Sequence, residues 1–187
     1  MKLFFVRHGE TTMNREDRIS GWLSDPDLTR TGENQAVAAG EKLKNRGVDV
    51  IFTSDLLRTQ RTAQIIRETV DPQLPIYNDW LLRERWHGKK EFQSWTDTDW
   101  NMINQKDASY GKLYDIEFDN LTARTKTFIR NLQLLPVRYN CAVVVTSGGI
   151  MTEIAKILQP DYDKYETDNA EVREYDLRKL LEKLEMQ

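Results

Sequence analysis

Three short apolar runs constrain the fold of this chain more than anything else in it. They are "KLFFV" at 2–6, "VDVIFTS" at 48–54 and "YNCAVVVTS" at 139–147. Each has the length of a strand, and none alternates cleanly between apolar and polar residues. A strand that is apolar on both faces must be covered on both, and parallel sheets flanked by helices do this. The segments between them carry a helical period. "TRTGENQAVAAGEKLKNRG" predicts a helix over 29–47 that stops at Gly47. Leu56, Thr59, Ala63, Ile66 and Val70 recur at steps of three and four and predict a second. Phe118, Leu121, Thr125, Phe128, Leu132 and Leu135 predict a third. "GGIMTEIAKIL" predicts a fourth, directly after the strand at 139–147. "LPIYNDWLL" at 74–82 reads as a further strand, and "AEVREYDL" at 170–177 as a last one at the sheet edge. The expected class is α/β, a mostly parallel sheet with helices on both faces.

Residues 85–116 do not fit this rhythm. They are polar, weakly periodic, and rich in Trp and Tyr. They are read as a small inserted lid over one end of the sheet, with Trp80, Trp86, Trp95 and Trp100 packing it rather than stacking on a ligand. With no repeats or linkers, residues 1–187 are expected to form one domain.

Composition removes several function classes. With 27 Lys and Arg against 30 Asp and Glu, the net charge is −3, which lacks the basic excess of a nucleic-acid binder. The single cysteine, Cys141, excludes an intramolecular disulfide and sits in an apolar run as a core residue. No window approaches about 18 consecutive apolar residues, so no membrane span is expected. Residues 1–6 lack the apolar stretch of a leader, and a cytoplasmic protein is the simplest reading. The two histidines and scattered carboxylates show no metal-ligand spacing, so neither metal nor cofactor is expected.

In sheets of this kind ligands bind beyond the carboxyl ends of the strands. That rule gathers Arg7 and His8 from the first strand, Ser54 and Arg58 from the second, and Ser147, Gly148 and Gly149 after the strand at 142–146. A glycine-rich turn entering a helix offers free N–H groups and a positive helix end. Arginine adds a planar fork that matches phosphate. Two arginines, a histidine and a helix N-terminus around one point describe a phosphate pocket.

The ordered set "VRHGETTMN", "SGWLSDPDLTRTGENQA", "TSDLLRTQRTA", "LLRERWHG" and "VVVTSGG", running from residue 3 to about residue 152, resembles the histidine phosphatase superfamily, the phosphoglycerate-mutase-like group. The resemblance implies a three-layer α/β/α fold and phosphoryl transfer through a phosphohistidine. By that resemblance His8 is the nucleophile, and Arg7 and Arg58 clamp the phosphoryl oxygens. Arg58 is chosen over Arg61 because Ser54, Leu56 and Arg58 fill the family's spacing. Gly9 lets the backbone approach the phosphate, Asn14 donates to it, and Ser20 and Gly21 line the substrate side. Glu84 is the general acid, its pKa expected to be raised, with like-charge repulsion from phosphate adding to the shift.

One position departs from the family. Where its last motif carries a second histidine before glycine, this chain has Ser147, followed by Gly148. Serine is shorter and uncharged. The expected activity is hydrolysis of a small phosphomonoester, slowed by the loss of a charged donor. Two alternatives stay open. One is a non-catalytic relative that binds a phosphorylated ligand or a protein. The other is a mutase, although a mutase must shield its phosphoenzyme from water and a lid of about 30 residues leaves water access. The expected partner is a small phosphorylated substrate. The sequence does not specify an oligomeric state.

Overall fold

A computed structural model describes residues 1–97, 120–162 and 167–186. The five strands are β1 (Lys2–Arg7), β2 (Val50–Thr53), β3 (Ile76–Asn78), β4 (Cys141–Thr146) and β5 (Val172–Asp176). They form one sheet in the order β3-β2-β4-β1-β5. β1 pairs in parallel with β4, and β2 with both β3 and β4. Only β5, on the edge beside β1, runs antiparallel. The helices are α1 (Thr12–Arg15), α2 (Arg30–Leu43), α3 (Leu57–Val70), α4 (Leu121–Asn131), α5 (Gly148–Leu158) and α6 (Leu177–Glu185).

The apolar runs explain the layering. Successive strand side chains point to opposite faces. Leu3, Phe5, Val50, Phe52, Ala142 and Val144 face one way, against Phe128 of α4, Ile150 and Ile154 of α5, and Leu180 and Leu184 of α6. Phe4, Val6, Ile51, Val143 and Val145 face the other, against Ala39 and Leu43 of α2 and Ala63 and Ile66 of α3. The result is an α/β/α arrangement with two cores. Truncating a fully buried member such as Ile154 would cost about 2–5 kcal/mol.

Several boundaries differ from the sequence reading. α2 ends at Leu43 rather than at Gly47. The chain turns there through Asn45 (φ 60°) and Gly47 (φ 72°), so the glycine serves the loop after the helix. Of "LPIYNDWLL" only Ile76–Asn78 is strand. The Asp79 side chain then accepts the Leu81 N–H and starts a 3₁₀ turn over Trp80–Leu82. The last strand stops at Asp176, whose carboxylate caps α6 by accepting the N–H groups of Arg178 and Lys179. The sequence reading missed α6, although Leu177, Leu180 and Leu184 follow a helical period and are buried. Phe118, the expected start of the third helix, lies outside the described residues, and α4 begins at Leu121 with Asn120 capping it. Residues 98–116 of the expected lid, Trp100 among them, also lie outside the described residues. Among the described residues no helix is long and apolar enough to cross a membrane.

Candidate active site

The ends of three neighbouring strands bring the expected residues together. His8, one position past β1, donates its backbone N–H to the Thr146 carbonyl at 2.9 Å, so the ladder continues to the residue before Ser147. Ser54 donates its N–H to the Val145 carbonyl at 3.3 Å. The His8 ring is buried, with Nδ1 2.8 Å from the Gly9 carbonyl. A carbonyl can only accept, so Nδ1 carries the proton and Nε2 keeps its lone pair. Burial, then Arg58, then Arg7 push the imidazole well below its ordinary pKa of 6.5. The ring is therefore neutral and nucleophilic at neutral pH.

Three polar atoms on residues at or just after these strand ends are buried and have no partner among the described residues: Arg7 Nε, Arg58 Nε and Ser147 Oγ. Arg7 is held by the Thr167 carbonyl through its Nη1. Its Nε lies beside the first residue of α5, 3.7 Å from where a Cβ on Gly148 would stand. Arg58, 1% exposed, spends Nη1 on the Ser24 carbonyl (3.1 Å) and Asp25 (3.2 Å), and Nη2 on the Gly21 carbonyl (2.9 Å). Ser147 occupies the N-cap of α5 but makes no side-chain cap bond. An unsatisfied buried polar group costs about 1–3 kcal/mol. Three on residues at one end of the sheet are donors suited to an anion.

Glu84 stands at the same helix end. Its Oε2 accepts the Gly149 N–H at 3.0 Å and its Oε1 the Arg85 N–H at 2.6 Å. Burial pushes this carboxyl up. His87, the two N–H donors and Arg58 together outweigh burial and hold it below the ordinary glutamate range. The expected raised pKa is therefore not found, because the groups suited to an anion act on the carboxylate itself.

Other predicted residues take different places. Gly9 packs against the start of α2. Its N–H bonds to Thr62 Oγ1 at 3.1 Å, and a Cβ there would stand 2.3 Å from the Gly32 carbonyl oxygen. The glycine is needed for contact with α2. Asn14 uses Oδ1 to accept from Thr11 and Asn169, which leaves its amide nitrogen to donate elsewhere. Ser20 donates to the Met13 sulfur (3.4 Å), and Gly21 points its carbonyl at Arg58. Arg61 is exposed and pairs with Glu33 at 2.7 Å on the outer surface. Trp80 and Trp95 are about half exposed (49% and 48%), and the Trp95 ring meets the His87 ring edge-on at 6.4 Å within the expected lid.

Sequence reading missed four residues. Arg124, on α4 and buried, donates to the carbonyls of Leu81 (2.9 Å), Arg83 (2.9 Å) and Glu84 (3.1 Å) and so fixes the acid segment. Trp22, outside the expected lid cluster, donates its indole N–H to the Glu84 carbonyl and lies under the guanidinium groups of Arg83 and Arg124. Asn169 bridges the His8 carbonyl and Asn14, both at 3.2 Å. Glu91 is a buried carboxylate that accepts from the 22–24 turn. A polar residue on a loop gives no sequence signal for a partner tens of positions away.

The chain is 36% identical over 117 residues to a 2,3-bisphosphoglycerate-dependent phosphoglycerate mutase of Corynebacterium kroppenstedtii. That stretch is 61% of this chain and 47% of the mutase, so the match spans about half of the relative's length. Among solved structures, phosphoglycerate mutase from Bacillus anthracis superposes with a TM-score of 0.77 at 19% identity, covering 98% of this chain and 96% of that one, a likeness of fold. A Thermus thermophilus protein, TTHB049, superposes with a TM-score of 0.68 at 26% identity, covering 94% of each chain. The profile of the histidine phosphatase superfamily (branch 1) matches residues 3–183, nearly the whole of a chain that ends its first strand on Arg7 and His8, and the chain belongs to that superfamily.

Proposed function

We propose that the chain hydrolyses small phosphomonoesters through a phosphohistidine at His8. The observation that carries this reading is the set of unpartnered buried atoms, Arg7 Nε, Arg58 Nε and Ser147 Oγ, on residues at the sheet end that also carries a histidine whose Nε2 keeps its lone pair. His8 Nε2 attacks phosphorus and the bond to the ester oxygen breaks. The imidazole gains positive charge, which strengthens its Nδ1–H bond to Gly9. Arg7, Arg58 and the first turn of α5 meet the charge spread over the phosphoryl oxygens. Glu84 gives its proton to the departing alcohol. The incoming dianion offsets the arginines that hold this carboxyl low and so raises its proton affinity. Water then attacks the phosphohistidine, Glu84 takes back a proton, and inorganic phosphate leaves. Ser147 stands where the family carries a second histidine and offers a hydroxyl in place of a charged donor.

The relative named as a mutase supports a second reading, in which the phosphoryl group passes to another hydroxyl rather than to water. One experiment separates the two. The chain is incubated with a reactive aryl phosphate, chased in buffer alone or with an added phosphoglycerate, and quenched in alkali at intervals to follow the acid-labile phosphoryl group on His8. Decay in water at the turnover rate supports the phosphatase. Decay only with the acceptor supports the mutase. A parent without label on His8, or label retained in His8→Ala, overturns both.

A further inference from the structure

We propose that Glu91 is a positioning residue whose carboxylate fixes the 21–24 turn and, through that turn's carbonyls, aims Arg58 at the transferred phosphoryl group. The inference rests on the phosphoryl-transfer reading above. Glu91 is 4% exposed, and what holds its charge is the turn itself. Its Oε1 accepts the Trp22 N–H at 2.9 Å. Its Oε2 accepts the N–H groups of Leu23 (2.9 Å) and Ser24 (2.7 Å) and the Ser24 hydroxyl (2.8 Å). Four donors converge on one side chain, and an ionised carboxylate is the group that can accept them all, since it has two oxygens and no proton to place.

The other side of the turn is what Arg58 touches. The Gly21 and Ser24 carbonyls accept from the two terminal nitrogens of its guanidinium, at 2.9 and 3.1 Å. Glu91 thus gathers the N–H groups of the turn while Arg58 gathers its carbonyls. With both terminal nitrogens anchored, the fork cannot rotate, and Nε stays buried without a partner, ready for an anion. Freezing an arginine otherwise costs side-chain rotamer entropy at the moment of binding. The contact is close: a Cβ on Gly21 would stand 2.3 Å from Glu91 Oε1, so Gly21 admits the carboxylate as well as serving Arg58.

A double-variant cycle tests this. Vanadate affinity, kcat/KM on an aryl phosphate and melting temperature are measured for the parent, Glu91→Gln, Arg58→Ala and the double variant. Glu91→Gln places an amide NH₂ against N–H donors. It should weaken vanadate binding and lower kcat/KM at least about tenfold in the parent, and change vanadate affinity less than about twofold once Arg58 is alanine. Equal losses in both backgrounds would show that Glu91 acts on stability and not through Arg58, and would overturn the proposal while leaving the phosphatase reading intact. If Glu91→Gln does not fold, Ser24→Ala replaces it in the cycle, since it removes one donor to Glu91 and the Gly21 N–H contact, with the same criterion applied. A folded parent that binds no vanadate and forms no phosphohistidine overturns this inference together with the reading beneath it.

Discussion

Glu84 accepts the Gly149 N–H at 3.0 Å, and a Cβ on Gly149 would stand 2.1 Å from the other oxygen of the same carboxylate. The proposed acid and the start of α5 are thus fitted to each other, and the carboxylate sits where an anion would be drawn. In the proposed reaction binding and proton donation would be coupled, because a phosphoryl group near this helix end would change the proton affinity of Glu84.

That coupling has a kinetic consequence. The carboxyl is held below the ordinary glutamate range, so its protonated fraction in the free protein falls as pH rises. For an alkyl phosphate, whose leaving oxygen needs the proton, kcat/KM should decline steadily from about pH 5 to pH 8. Glu84→Gln should cost about 10²–10⁴-fold on the alkyl ester and far less on an aryl ester. Equal losses on both esters would make Glu84 structural.

The nucleophile predicts a stability slope. The folded chain holds His8 well below the value of about 6.5 that it has when unfolded, so below that pH the unfolded chain takes up a proton that the folded chain refuses. Stability should therefore fall as pH drops below about 6.5, with up to ~1.4 kcal/mol per pH unit from this group. Urea unfolding at several pH values should show a shallower acid slope for His8→Gln than for the parent.

Ser147 predicts a gain. If it holds the second histidine's place, Ser147→His adds a charged donor beside the phosphoryl group, where an unpartnered hydroxyl now sits. kcat/KM on an aryl phosphate should rise at least about tenfold, ~1.4 kcal/mol of barrier, and vanadate should bind more tightly. Ser147 is 1% exposed, so overpacking is the competing effect, and melting must be followed beside activity. A variant with unchanged melting and no gain in rate or affinity would favour a binding module over a phosphatase.

Gly9 predicts a loss of fold rather than of chemistry. The methyl of Gly9→Ala would meet backbone of α2 at 2.3 Å, and backbone cannot rotate away. The expected cost is about 3 kcal/mol, or ~6–12 °C in Tm, with the surviving folded fraction keeping its KM.

These outcomes follow a division visible in the sequence. Runs such as "AVVVTS" had to be strands because no other element buries both faces in so few residues, and strand ends then located His8, Ser147 and Arg58. Positions set by local chemistry were legible for the same reason. Glu91, Arg124 and Asn169 were not, because each is an ordinary polar residue whose role comes from carbonyls or N–H groups brought near by the fold. α6 was missed for another reason: Leu177 follows a strand with no glycine or proline between, and the stop signal was an aspartate acting as a cap.

The hydrogen bond from His8 to Thr146 ties the first strand to one near the other end of the chain. Closing a loop of that length is slow and entropically costly, and little local structure can stand in for it. Until β1 docks beside β4, His8 and Ser147 are not brought to the same sheet end. Opening that pair would expose the centre of both cores, so the His8 amide should exchange its hydrogen only through global unfolding. The proposed nucleophile would then hang from one of the slowest-exchanging amides, and losing the site would mean losing the fold.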